Sequence, residues 1–247
     1  MAIPPYISVI VPTLNEADNI GPLVEHLRRY GDEEAVQIVI VDGGSEDGTC
    51  EKIPHGSAAL LESDRGRAVQ MNCGANWAAG EVFYFVHADS LPPASYQQDI
   101  EQAHGQGYAH GGYRFRFLSD RRIFRVNNFF TRFAFSWTRG GDQTYFITRE
   151  LFEALHGFDE RYVIMEEYDL MRRARRAGGK MKIFKKSVLG SARKYEYNSY
   201  LRVNLVNVFI YLAYRLGVSP AKLKRWYKAW LKTDPNQGIK KEAYPEG

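Results

Sequence analysis

The run Val82-Phe83-Tyr84-Phe85-Val86, ended by His87-Ala88-Asp89-Ser90 and then Leu91-Pro92-Pro93, constrains the fold more than any other stretch of the chain. Five successive apolar or aromatic residues of strand-favouring type, closed by a double proline, fit a strand in the middle of a sheet with both faces covered. Asp89 then stands at the carboxyl end of that strand. In open α/β sheets ligands collect at the carboxyl ends of the strands, and a carboxylate there is suited to holding a hard cation against phosphate. An isolated Asp at such a place can also simply start the turn into the next helix, so its meaning depends on what joins it.

Two earlier segments repeat the pattern. Tyr6 to Pro12 reads as a buried strand stopped by Pro12, followed by a helix for which Asn15 is the expected cap; Ile20, Leu23, Val24 and Leu27 recur in it at helical spacing. Val36 to Val41 reads as a second strand, ending in Asp42-Gly43-Gly44-Ser45-Glu46-Asp47-Gly48-Thr49. The glycines permit close backbone approach, and Asp42 is placed to hydrogen-bond a ribose or a base edge. Ala58 to Glu62 makes a short third strand, and the helix from Ala68 to Ala79 starts beside Arg65 and Arg67, so its amino end favours an anion. Strands alternating with helices over the first ~90 residues predict an α/β fold with a mostly parallel sheet and helices on both faces. No G-x-G-x-x-G opens the first helix, so the ordinary dinucleotide fingerprint is absent. Glu16, Asp42 and Asp89 are instead expected to converge at one edge of the sheet.

Beyond Pro93 the pattern changes. Gly111 to Phe117 alternates aromatic residues with Arg114 and Arg116, as a strand with one buried and one wet face should. Arg122 to Trp137 reads as a basic, aromatic-rich helix, and Arg139-Gly140-Gly141-Asp142-Gln143 as a glycine turn that places Asp142 and Gln143 at the start of the next strand. Glu166, Glu167 and Asp169 open a helix that ends in Arg172, Arg173, Arg175 and Arg176 before Gly178. That arrangement suits any surface helix lying in its own dipole field. Lys180 to Phe184 and Val188 to Ala192 are two further short strands, two helices follow from Tyr200 to Leu216 and Pro220 to Leu231, and a polar tail closes the chain.

A length of 247 residues allows one large domain. The expected layout is a single domain over residues 1–235, with a first half to about residue 110, a second half over 111–195, C-terminal helices over 198–232 and a tail from 234 to 247. The net charge of +4 suits a phosphorylated substrate and is too small to argue for nucleic acid. Cys50 and Cys73 have neither metal-ligand spacing nor a disulfide-rich setting, which suits a cytoplasmic protein. The first residues carry no signal-peptide pattern, and no window reaches the ~20 apolar residues of a spanning helix. Leu201 to Arg215 is long and apolar enough to lie along a bilayer, although core packing is the plainer expectation, so peripheral contact with the inner face of a membrane enters as a candidate.

Taken together and in order, these motifs resemble a family 2 inverting glycosyltransferase of the GT-A fold. The resemblance rests on Ile7 to Glu16, Val41 to Thr49, Gly80 to Asp89, and His156-Gly157-Phe158 followed by Met165 to Leu170, and it spans residues 7–176. It is most specific for a small soluble bacterial subgroup with a His-Ala-Asp strand end and a Gly-Asp-Gln turn, matched by His87-Ala88-Asp89 and Gly141-Asp142-Gln143.

The resemblance implies that Pro12, Glu16 and Asp42 line the nucleotide pocket and that Asp89 coordinates a divalent cation, Mn or Mg. It puts Glu167 where the family usually has the aspartate that deprotonates the acceptor, with Glu166 beside it to orient that acceptor. His87 replaces the first of the family's usual two aspartates, the one that reaches the ribose, and Glu167 is one methylene longer than the usual base. Arg193 falls near the place of a missing Gln-x-x-Arg-Trp, where it would touch the pyrophosphate, and Arg67, Asp142 and Gln143 complete the candidate binding set. The implied donor is a nucleotide-diphosphate sugar, taken as a UDP-sugar, and the acceptor is a sugar or a lipid-linked hydroxyl. Sugar transfer needs positive charge against the leaving diphosphate and a carboxylate to take the acceptor proton, and Asp89 and Glu167 supply one each. The alternatives are a nucleotidyltransferase, which would ordinarily carry a glycine- and lysine-rich loop after the first strand, and an inactive nucleotide-binding scaffold.

Overall fold

The computed structural model describes residues 4–117, 144–190, 195 and 198–232. Eight strands form one sheet in the order β3-β2-β1-β4-β7-β6-β8-β5. Its first part is parallel: β1 (Ile7–Thr13) lies between β2 (Val36–Asp42) and β4 (Val82–Phe85), and β3 (Ala59–Glu62) flanks β2. Beyond β4 the sheet is mixed. β7 (Tyr145–Thr148) runs antiparallel to both β4 and β6 (His110–Phe117), β6 is parallel to β8 (Met181–Gly190), and β5 (Ser90–Leu91) closes antiparallel on β8.

Strand periodicity sorts the core into two layers. Ile7, Val9 and Val11 pack with Ile20, Leu23, Val24 and Leu27 of helix α1 (Ala17–Tyr30), whereas Ile10 packs with Ala68, Met71 and Ala75 of α2 (Arg67–Trp77). β4 divides the same way, with Val82 and Tyr84 on the α1 side and Phe83 and Phe85 on the other. Two covered faces are why these strands read as unbroken apolar runs rather than alternating ones. α3 (Tyr96–Gly105) joins the α1 layer, while α4 (Arg149–Ala154) and α5 (Glu166–Arg176) join that of α2. α6 (Tyr200–Arg215) and α7 (Pro220–Trp230) make a third cluster of their own.

Four sequence expectations change. β1 runs through Pro12 to Thr13, since the residue pairs opposite Val41. The partner on its other side, β4, is already leaving the sheet with the bond from Val86 N to Ile10 O, so the missing proline N–H deprives no ladder. The central strand ends at Phe85, and His87 to Ser90 is a turn closed by Ser90 N donating to His87 O at 3.0 Å. The two short strands expected after Lys180 are one ten-residue strand, β8, held along its length by β6. Asn15 does not cap α1. Its φ of 55° is left-handed, and its Oδ1 accepts instead from Glu46 N at 2.9 Å. The expected helix over Arg122 to Trp137 lies outside the described residues, as does the tail from 234.

Candidate active site

The carboxyl ends of β1 and β2 are tied together before any ligand arrives. Gln70, buried in α2, donates through Nε2 to Thr13 O at 2.7 Å and to Val41 O at 2.8 Å. The helix reaches that close because Gly74, one turn on, lies against β1; a Cβ there would sit 2.5 Å from Ile10 Cγ2.

The loop after β2 serves the helix after β1. Asn15 N donates to Ser45 Oγ (2.8 Å), Glu16 N to Thr49 Oγ1 (2.8 Å) and Ala17 N to Asp47 Oδ2 (3.1 Å). These are N–H groups at the start of α1 that have no partner inside the helix, so a distant loop does what a local cap would have done. Glu16 is the half-buried residue at the cap position, and its Oε2 accepts from Asn19 Nδ2 at 2.5 Å. Asp42 organises the loop itself. Its Oδ1 accepts from Thr13 and Ser45 hydroxyls and its Oδ2 from the N–H groups of Gly44 and Ser45, at 2.5–3.1 Å. Burial favours the neutral acid, but those four bonds outweigh it and hold the carboxyl below its ordinary range.

Opposite this loop, the first turn of α5 is buried. Glu166, Glu167 and Asp169 are 1 %, 6 % and 3 % exposed, which overturns the surface-helix reading of the same residues. Each acid has its own partner. Arg67 Nε, at the start of α2, lies 2.9 Å from Glu166 Oε1; His87 Nε2 lies 2.7 Å from Glu167 Oε1; Asp169 takes Arg172 at 2.7 Å and Arg173 at 2.6 Å. Arg173 continues to the carbonyls of Leu155 and Gly157 and so pins the segment leading into the helix. Met165, the residue before the acids, has φ 71°, a left-handed backbone that a long side chain adopts only under constraint.

The charges in this cluster shift one another. Burial, the largest influence, raises the Glu166 carboxyl, and neighbouring Glu167 adds to it against the opposing pull of Arg67. Its oxygens find no well-aligned hydrogen-bond donor among the described residues, and its counter-charge is Arg67. For His87, burial works against the imidazolium, but the charge and hydrogen bond of Glu167, together with Asp89, prevail and raise its pKa. A carboxylate partner also fixes the tautomer with the proton on Nε2.

His87 and Glu167 thus bring the turn that carries Asp89 to the acidic end of α5. Asp89 is half-buried in that turn, and Ser90, next to it, pairs with Gly190. No group of three or more His, Cys, Asp or Glu capable of holding a metal occurs among the described residues. A hard cation such as Mg is commonly held by one or two carboxylates plus substrate phosphates, and Asp89 supplies one carboxylate in this turn. His87 has its Nε2 engaged by Glu167. Pro12 is buried at the end of β1. Asp142, Gln143 and Arg193 lie outside the described residues.

Residues 8–166 match the family described as Glycosyl transferase family 2. The chain belongs to that family. Among curated family relatives, glycosyltransferase AglE of Haloferax volcanii is 30% identical over 106 residues, covering 40% of this chain and 34% of AglE. The chain therefore spans about a third of that relative's length. Among solved structures, the mannosyltransferase PcManGT from Pyrobaculum calidifontis, in complex with GDP-Man and Mn2+, superposes with a TM-score of 0.65 at 22% identity, over 92% of this chain and 69% of that one. Glucosyl-3-phosphoglycerate synthase from Mycobacterium tuberculosis, in complex with Mn2+, UDP and glucosyl-3-phosphoglycerate, gives 0.63 at 15% identity, over 87% and 81%. The S. aureus TarS fragment 1-349 in complex with UDP-GlcNAc gives 0.64 at 16%, over 91% and 71%. At these identities the likeness speaks for the fold, which is GT-A as the family 2 motifs imply.

Sequence reasoning missed Gln70, Ser45 and Thr49. The signal for Gln70 was available, since it is the polar residue between Ala68 and Met71 on the otherwise apolar face of α2.

Proposed function

We propose that this chain transfers a sugar from a nucleoside-diphosphate sugar to an acceptor hydroxyl with inversion at the anomeric carbon. The observation that carries the reading is the 2.7 Å contact between His87 and Glu167, which draws the Asp89 turn and the acids of α5 to one place. Family membership supports the reaction class, and neighbours of the same fold that were solved with GDP-Man, UDP-GlcNAc or UDP support a nucleotide-sugar donor.

In this mechanism the acceptor oxygen forms the new bond to the anomeric carbon while the bond to the diphosphate breaks and its electron pair leaves with the nucleotide. Glu167 takes the acceptor proton. His87 donates to Oε1, so Oε2 is the oxygen left for that proton, and the histidine holds the carboxylate in one orientation. Glu166, buried with no aligned donor, accepts a hydrogen bond from the acceptor and orients it. A divalent cation held by Asp89 would supply positive charge against the departing diphosphate. Asp42 reaches the nucleotide only by exchanging one of its four loop bonds, so Thr13 and Ser45 move with it. The single-domain layout over residues 1–235 belongs to the same reading, supported by one sheet that takes strands from both halves.

The test is thermal stabilisation by nucleoside diphosphates with and without manganese, since a ligand bound to the folded state stabilises by mass action. Asp89→Ala should abolish the manganese-dependent part. A variant that binds the metal-nucleotide complex as tightly as the parent overturns the assignment of Asp89.

A further inference from the structure

Helix α6 has two apolar faces, and only one is covered by the described residues. Val203, Val206, Ile210, Ala213 and Tyr214 are buried with α7. On the other side Leu201, Leu205, Val208, Phe209, Leu212 and Leu216 stand 44–85 % exposed. At 3.6 residues per turn these six fall within an arc of about 100°, a continuous apolar stripe about 24 Å long. Scattered exposed leucines need no explanation, but an aligned stripe does.

The charge around the stripe is one-sided. From Asn198 to Lys232 the sequence holds seven Lys and Arg and no Asp or Glu, whereas the whole chain is only +4. The segment therefore carries more than the entire positive excess, and the rest of the chain is net acidic. Arg202, Arg215, Lys222, Arg225 and Lys228 are exposed. Half-buried Trp226 and Trp230 stack with centroids 5.9 Å apart, and Phe209 of the stripe meets Trp230 at 4.9 Å. Apolar stripe, indole rings and unopposed cations together match the layers of an anionic bilayer surface: acyl chains, the interfacial zone and the phosphates. A second copy of the chain is a poorer occupant, because a two-fold contact through the stripe would press two +7 segments together. No described helix is long and apolar enough to cross a membrane, so contact would be from one side.

We propose that the outer face of α6, flanked by α7, docks this protein on an anionic lipid bilayer. The inner face of the same helix touches the candidate active site: the Tyr214 hydroxyl donates to Asp169 at 3.4 Å, and Arg172 lies 5.3 Å over the Tyr214 ring. Docking thus brings the headgroup layer to within about one helix diameter, ~10–12 Å, of the first turn of α5. On the transferase reading this favours an acceptor hydroxyl carried by a lipid. The docking itself does not depend on that reading.

Flotation of the full chain with vesicles decides it. The protein should rise with vesicles of equal parts phosphatidylglycerol and phosphatidylcholine at low salt, stay down with phosphatidylcholine alone, and be released as salt screens the cations. Leu205→Ser with Leu212→Ser changes only exposed positions; it should cut vesicle binding by about tenfold or more while leaving the melting temperature unchanged. Lys222→Gln with Arg225→Gln should weaken binding and flatten its salt dependence. Protein that stays at the bottom with anionic vesicles at low salt overturns the proposal, as does equal flotation of the leucine variant. A dimer on size exclusion that the leucine variant dissolves also overturns it, by making the stripe a self-interface. Donor binding by thermal shift, run beside it, reports on the transferase reading alone.

Discussion

His87 and Glu167 meet at 2.7 Å although one lies in the turn after β4 and the other in the first turn of α5, eighty residues later. The contact joins the turn that carries Asp89 to the acidic first turn of α5 through one hydrogen bond between buried groups, so a change at either end is felt at the other.

Glu167→Gln keeps the size of the side chain and removes the proposed proton acceptor. Transfer should fall by about 10²-fold or more with metal-nucleotide affinity nearly unchanged, because the carboxylate acts only as the acceptor proton moves. Glu167→Asp should retain more activity than the glutamine variant. Steady-state rates beside calorimetric binding separate the two quantities. Parental turnover in Glu167→Gln, with failure in Glu166→Gln, would move the base to the neighbouring acid.

Arg67→Met strips the nearest cation from Glu166 and leaves a buried carboxylate beside Glu167, with His87 the remaining positive influence. Breaking a buried pair costs about 3–5 kcal/mol. The Arg67 side chain is 38% exposed, so solvent already screens part of the pair and a loss of about 2 kcal/mol is expected in urea unfolding. Adding Glu166→Gln should restore most of it. If the double variant is no more stable than Arg67→Met, the lost term is packing of the arginine stem.

Asp42 gives the pH dependence its sign. Its carboxyl titrates below the ordinary 3.8 in the folded protein, so its contribution is present above that value and fades as pH falls through the lower folded one. Asp42→Asn should cost about 2 kcal/mol near neutrality by disturbing bonds to a charged acceptor. The gap to the parent should close below about pH 4, and a gap that is the same at both ends would mean that charge has no part in it.

Gln70→Leu is close to isosteric and removes one of the donors to each of the carbonyls of Thr13 and Val41. A loss of about 2 kcal/mol is expected. Gly43 N, which donates to Thr13 O at 3.0 Å, should exchange its hydrogen faster than in the parent. Unchanged exchange there would show that the strand ends are held by the sheet alone.

The parallel half of the sheet was legible because its physics is local: runs such as Val36 to Val41 carry strand propensity, and the helices after them carry helical spacing. What escaped depends on partners far away in sequence. Asn15 looks like a cap until the loop from Ser45 to Thr49 is seen occupying the N–H groups it would have served. Glu166 and Glu167 look like acids softening a helix dipole, because no pattern within the helix reveals Arg67 and His87 lying over its first turn. The turn at His87 looks like more strand, since the residue type does not record that β4 parts from β1 after the bond from Val86 N to Ile10 O. Asp89 was legible as a position, and the pairing that steadies it was not.

That pairing has a consequence for how the protein is made. Among the described residues, Ser90 and Leu91 find their strand neighbours in Gly190 and Leu189, about a hundred residues further along. Chains emerge from the ribosome amino end first. A nascent chain can therefore assemble β1, β2, β3 and β4 while the segment beside Asp89 still hangs unpaired. The carboxylate reaches its final setting only when β8 has been synthesised and inserted between β6 and β5, which ties the setting of Asp89 to a strand made about a hundred residues after it.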